Sequence, residues 1–228
     1  MLEDLTLTAG ATLALLVGFA AVITWGNRAL LQRLVNRAQR DSAHVWWARP
    51  GLWWHEGTHA LVGRLFGLTV REVSVRASGQ TAGHVTFALN PRSWWQHVGL
   101  FAAAGAPVWT SAAVILGVGK MVWWPRVAWR AVGLATLAPT WPGVAGWLVM
   151  SLALSLGAVL SPADLRQLMR GLPAVAALVL GVFAALALVW PAGLAAWRTG
   201  NALLALAGAV VTALSLLLGL LAAVLMRR

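Results

Sequence analysis

The sequence predicts an all-α polytopic membrane protein of about six transmembrane helices, with a small membrane-associated β-hairpin after the second. Three observations carry that expectation. Of 228 residues, 60% are hydrophobic and only 10% charged, where a soluble domain would carry about 25% charged residues. Mean hydropathy is +0.78, and several apolar runs approach the roughly 20 residues needed to cross a bilayer. The arginines, which make most of the formal net charge of +11, gather in short stretches between those runs, as in loops facing the cytoplasm and anionic lipid. Once the spans are set aside no basic surface remains for nucleic acid, so that class of partner is not expected. The absence of cysteine excludes disulfides, thiolate metal ligands and a cysteine nucleophile.

The chain is expected to form one membrane domain over residues 1–228. The first span covers 7–25, uncharged and closed by Trp25, and is expected to be a retained helix and not a cleaved signal. Residues 27–50 carry Arg28, Arg33, Arg37, Arg40 and Arg49 against Asp41 alone. Leu30, Leu31, Leu34 and Val35 recur at helical spacing among them, which predicts an amphipathic interfacial helix. This arginine-rich stretch marks the cytoplasmic side and places the N-terminus outside.

A Trp-rich helix follows over 45–68, and the pairs Trp46/Trp47 and Trp53/Trp54 suit either an interfacial belt or plain packing. Val70, Val73 and Val75, then Val85, Thr86 and Phe87, flank the Gly-rich stretch 78–83, and this predicts a β-hairpin over 69–89. Its unpaired edges cannot face lipid, so it belongs at the interface or beside a protein cavity. Further spans are expected at 97–119, which contains Pro107, at 131–160, broken at Pro139 and Pro142, at 172–190 and at 202–225. The segment 161–164 interrupts the apolar sequence, and 165–170 reads as a short basic turn of helix. The charge pattern does not fit six full crossings, so either one segment is re-entrant or the region 121–138 does not cross.

Within this apolar frame His55-Glu56-Gly57-Thr58-His59 stands out. Positions i and i+4 of a helix share a face, so both imidazoles can meet one metal ion, while Glu56 can reach a water beside it. That is the zinc hydrolase pattern of two histidines, a third ligand, an open position and a carboxylate base. In an apolar helix the bland alternative, three polar side chains without purpose, is costly. The chain holds six acids, Glu3, Asp4, Asp41, Glu56, Glu72 and Asp164, of which only Glu56 and Asp164 lie in or beside apolar segments. Asp164 is therefore the favoured third ligand, against a helix-capping role for Ser161 or Asp164. His84, His97 and His44 are the other candidates.

This HExxH helix, the Gly-rich hairpin after it, Ala104-Gly105-Ala106-Pro107 and Ser161-Pro162-Ala163-Asp164 together resemble the site-2 protease family of intramembrane zinc metalloproteases, in its small bacterial branch without a PDZ domain. The resemblance covers about 45–170; the family pattern has Gly after the aspartate, where this chain has Leu165. It implies Zn2+ held by His55, His59 and Asp164, with Glu56 as catalytic base. It further implies a membrane protein substrate cleaved in or near a transmembrane segment, an extended substrate pairing with the hairpin, and a multi-pass location in the cell membrane. The rival expectations are a non-catalytic zinc-binding membrane protein, an inactive homologue or a partner-binding scaffold, and a small transporter using His and Asp in a proton or metal pathway.

Overall fold

The computed structural model describes residues 2–38, 49–74 and 83–225. Asp41, His44, Trp46, Trp47, Val75 and the turn residues 78–82 lie outside them. The chain is about 81% helical. A short helix α1 (Leu2–Leu5) passes through a π-helical turn, Thr6–Gly10, into α2 (Ala11–Ala38). Then come α3 (Arg49–Leu65), strands β1 (Thr69–Ser74) and β2 (His84–Ala88), and helices α4 (Trp94–Trp123), α5 (Trp141–Gly157), α6 (Pro162–Val189) and α7 (Ala192–Leu225).

Among the described residues four stretches, Glu3–Ala29, Trp94–Trp123, Pro162–Val189 and Ala192–Leu221, are long and apolar enough to cross a membrane. The helices α3 and α5 have 17 residues each, and α3 is too polar for that description. The apolar helices thus support a membrane protein; four of the expected six spans have such a helix among the described residues, and α3 and α5 are the shorter helices in the other two places.

Several boundaries differ from the expected ones for identifiable reasons. Residues 27–38 continue α2 instead of starting a separate interfacial helix, at least as far as Ala38. The span expected at 131–160 is only α5; residues 129–131 and 134–136 are exposed single turns of 3-10 helix. Thr140 and Pro142 start the helix afresh, as proline near a first turn favours. The segments 165–170 and 172–190 are one helix, α6, which runs through Pro173. Its crossing with α4 overrides the local break: a Cβ at Gly171 would meet the backbone of His97 and Phe101. Helix α7 starts ten residues earlier than the apolar run at 202.

Helix α4 is the centre of the fold, packed on α6, α3 and α5. Its small residues Ala103, Ala104, Gly105 and Ala106 are fully buried, so neighbouring helices approach its backbone closely. The approach is closest between α3 and α5, where Gly51 and Gly157 face each other: a Cβ on either would run into the other helix's backbone. Helix α3 ends in a Schellman motif. Gly67, at φ 77°, donates to the Arg64 carbonyl, and Leu68 donates to that of Gly63. The chain then turns back as the antiparallel pair β1–β2, with Thr69 opposite Ala88, Ser74 opposite His84 and a bulge between Val70 and Glu72. Gln96 links these parts, donating to the Gly67 carbonyl at 2.8 Å and accepting from the Asn90 amide at 2.7 Å. The Phe87 ring lies against Gly63, which seats the hairpin along α3.

Candidate metal centre

His55 and His59 occupy the buried face of α3, 8% and 3% exposed. Asp164 stands in the first turn of α6, its side chain 15% exposed. The three come together although 105 residues separate His59 from Asp164. The two Nε2 atoms are 3.0 Å apart, and the Asp164 carboxylate lies 3.6 Å from His55 Nε2 and 3.5 Å from His59 Nε2. No other group of three or more His, Asp and Glu side chains among the described residues is close enough to hold a metal ion.

The far nitrogens decide what these near nitrogens can be. His55 Nδ1 is 2.6 Å from the Gly157 carbonyl, and His59 Nδ1 is 2.7 Å from the Ala103 carbonyl. A carbonyl only accepts, so each Nδ1 carries a proton and donates it. In the neutral imidazole each Nε2 then presents a lone pair. Two lone pairs and a carboxylate, all acceptors, thus converge on one point inside the protein. Such a cluster needs a cation, whether one shared proton or a metal ion. A tetrahedral ion with bonds of about 2.0–2.1 Å holds its ligand atoms about 3.3–3.4 Å apart; the observed separations bracket that value. His55, His59 and Asp164 could therefore hold a metal ion. The backbone anchors are the supports that orient metal-binding imidazoles generally.

Asp164 also has the capping role considered for it. Its Oδ2 accepts from the Ser161 amide at 2.7 Å, and Ser161 Oγ accepts from the Asp164 amide at 3.1 Å. Cap and ligand were alternatives in sequence; in space the cap and the approach to both histidines are one arrangement. The capping box fixes the rotamer that aims the carboxylate at the histidines, and the start of α6 favours its negative charge. The α5–α6 connection is held from behind: Asn27 Nδ2 donates to the Ser155 carbonyl at 2.8 Å, and the Leu160 amide reaches Thr24 Oγ1 at 3.4 Å.

Glu56, 4% exposed, is on the adjoining strip of α3 and lies under the start of β2. A Cβ on Gly83 would meet its carboxylate and strike the Ser74 backbone carbonyl, and Gly83 also has φ 155°. Glycine is thus required there twice over, by space and by backbone conformation. His84 and His97 stand outside the cluster. His84 Nε2 is 3.5 Å from Glu72 on the exposed side of the hairpin, and His97 Nε2 is 3.2 Å from the Pro91 carbonyl. Trp53 is exposed, whereas Trp54 packs against the core. What sequence reasoning missed are the two carbonyls, of Gly157 and Ala103, because backbone atoms leave no residue signature. The nearest available signals were Gly157 at the end of an apolar run and Pro107 within one. Comparison of the chain with protein-family models, curated proteins and solved structures finds no match.

Proposed function

We propose that this protein is an intramembrane zinc metalloprotease of the site-2 protease kind, cleaving a peptide bond in or near a transmembrane segment of a membrane protein in the cell membrane. The observation that carries the proposal is the convergence of three acceptors, with the donors of the two imidazoles already spent on backbone carbonyls, next to a buried glutamate. His, His and carboxylate without cysteine is the donor set of hydrolytic zinc, leaving a fourth position open. The setting among apolar helices supports a substrate that is itself within the membrane.

His55, His59 and Asp164 would hold the ion, which when bound supplies Lewis acidity that makes water a nucleophile near neutral pH and polarises the scissile carbonyl. Glu56 accepts a proton as the water oxygen bonds to the carbonyl carbon. It returns that proton to the amide nitrogen as the carbon–nitrogen bond breaks. The hairpin shields Glu56 on one side, which limits competing water at the base. Helix α3 contributes both histidines and the base, so their relative positions are set by a single turn of helix.

The test separates catalysis from binding. Purified protein in detergent or bilayer nanodiscs is incubated with a panel of single-span membrane-protein reporters, and bound zinc is measured by mass spectrometry. In Glu56→Ala, zinc should remain while cleavage falls by about 10²- to 10⁴-fold, the usual contribution of a general base. Undiminished cleavage would remove Glu56 from the mechanism. Zinc bound by the unaltered protein, with no reporter cut, would favour a non-catalytic zinc-binding scaffold.

A further inference from the structure

In an α-helix the carbonyl of residue i accepts from the amide of residue i+4. The amide due to bond the Ala103 carbonyl belongs to residue 107, which is proline and has none. Pro107 lies inside α4, not at its start, so a carbonyl is released in the middle of a helix. Ala103 is 0% exposed, and an orphan carbonyl at such a place is costly. His59 Nδ1 sits 2.7 Å from that oxygen. Each group thus supplies what the other lacks.

From this we infer that Pro107 is a positioning residue of the metal centre: by removing one amide from α4 it leaves the Ala103 carbonyl to hold the His59 imidazole with Nε2 toward His55 and Asp164. The inference rests on the metal-centre reading above. The same device recurs at His55 in another form. Gly157 ends α5, and the Ser161 amide that an extended helix would direct to its carbonyl goes to Asp164 instead. A helix end provides one acceptor; a proline provides the other where no helix end is near. Ala103 is nine residues into α4, about 14 Å from its start at 1.5 Å per residue, where every carbonyl would otherwise be occupied.

A purely structural proline and a positioning proline differ in the sign of their effects. Pro107→Ala restores the amide, which competes with His59 for the Ala103 oxygen and improves the helix. Zinc affinity of the full chain in detergent, measured by Zn2+ titration against a competing chelator, should fall about 10- to 100-fold, as for loss of other groups behind metal ligands. Thermal stability of the zinc-free protein should be unchanged or raised. Replacing residue 107 with lactic acid by nonsense suppression makes an ester that lacks the N–H and the ring, and it should restore affinity.

Unchanged affinity in Pro107→Ala, when His59→Ala has lost zinc, would overturn the inference and leave the metal centre standing. So would a joint fall in affinity and stability that the ester does not restore. Should the unaltered protein take up no zinc, the metal reading fails by itself. The His59 imidazole 15N spectrum then decides: a shift from protonated Nδ1 toward mixed tautomers in Pro107→Ala supports the inference, and an unchanged spectrum overturns it.

Discussion

Among the polar side chains packed between the apolar helices, two of the groups are built on opposite rules. Where α2 meets α7, Trp197 Nε1 donates to Thr12 Oγ1 at 2.8 Å, and the Thr12 hydroxyl is 2.8 Å from Asn201 Oδ1. Asn201 Nδ2 donates to the Thr8 carbonyl at 2.9 Å, one of the carbonyls of the π-helical turn, and the Thr8 hydroxyl donates to the Asp4 carbonyl. Donors there meet acceptors. Where α3 meets α5 and α6, the donors of both imidazoles are directed outward to backbone, and only acceptors face inward. A balanced network ties helices together and needs nothing more. An unbalanced one is complete only with a cation, and that imbalance distinguishes a candidate site from structural polarity more sharply than burial does. His59 and Asn201, both buried, show how little burial alone decides.

The comparison can be broken most directly at the histidines. His59→Ala or His55→Ala removes one acceptor of the convergent set, and bound zinc should drop from one per chain to near none by mass spectrometry of the purified protein. Zinc retained in both variants would mean the cluster is satisfied by a proton. Next in size is the α3–α5 contact. Gly157→Ala forces a methyl group against the Gly51 backbone, an overpacking cost of about 1–3 kcal/mol. It should lower thermal stability and, by displacing the His55 anchor, zinc affinity with it. Loss of stability alone would detach the Gly157 carbonyl from the metal centre. The smallest effect is expected in the balanced group. Asn201→Ala should cost about 0.6–1.7 kcal/mol, the range for hydrogen bonds between membrane helices, read from denaturant or thermal unfolding. Zinc affinity should not change; a parallel loss would show that the two regions are coupled.

How far the molecule was legible depended on which atoms carry the information. His55, Glu56 and His59 are visible in sequence because helical periodicity alone places them on neighbouring strips of α3. Asp164 is visible by elimination, since acids are rare in this chain and costly in apolar surroundings. The hairpin was readable from its valines and glycines, and its strands fall within the expected 69–89. The length of α6 was not. Pro173 and Gly171 look like a break, and only the close fit of Gly171 against α4 explains why the helix continues. The expected span at 131–160 failed for a related reason: apolar composition continues through 131–138, but Gly133 and the following Pro139 and Pro142 leave only isolated turns there. The carbonyls of Ala103 and Gly157 were invisible to any pattern of side chains. They become meaningful only once the fold shows which backbone groups have lost their helical partners.

The four residues between α5 and α6 can be considered as a ruler. Gly157 marks one end with the carbonyl that holds His55, and Ser161 marks the other with the cap that aims Asp164. Since a helix advances about 100° per residue, one residue added or removed there would turn the first turn of α6 away from the histidines or draw Gly157 off His55. Composition along this connection is then secondary to count. Length is the quantity that two distant parts of the chain share, and it is what lets an aspartate meet a histidine 105 positions before it.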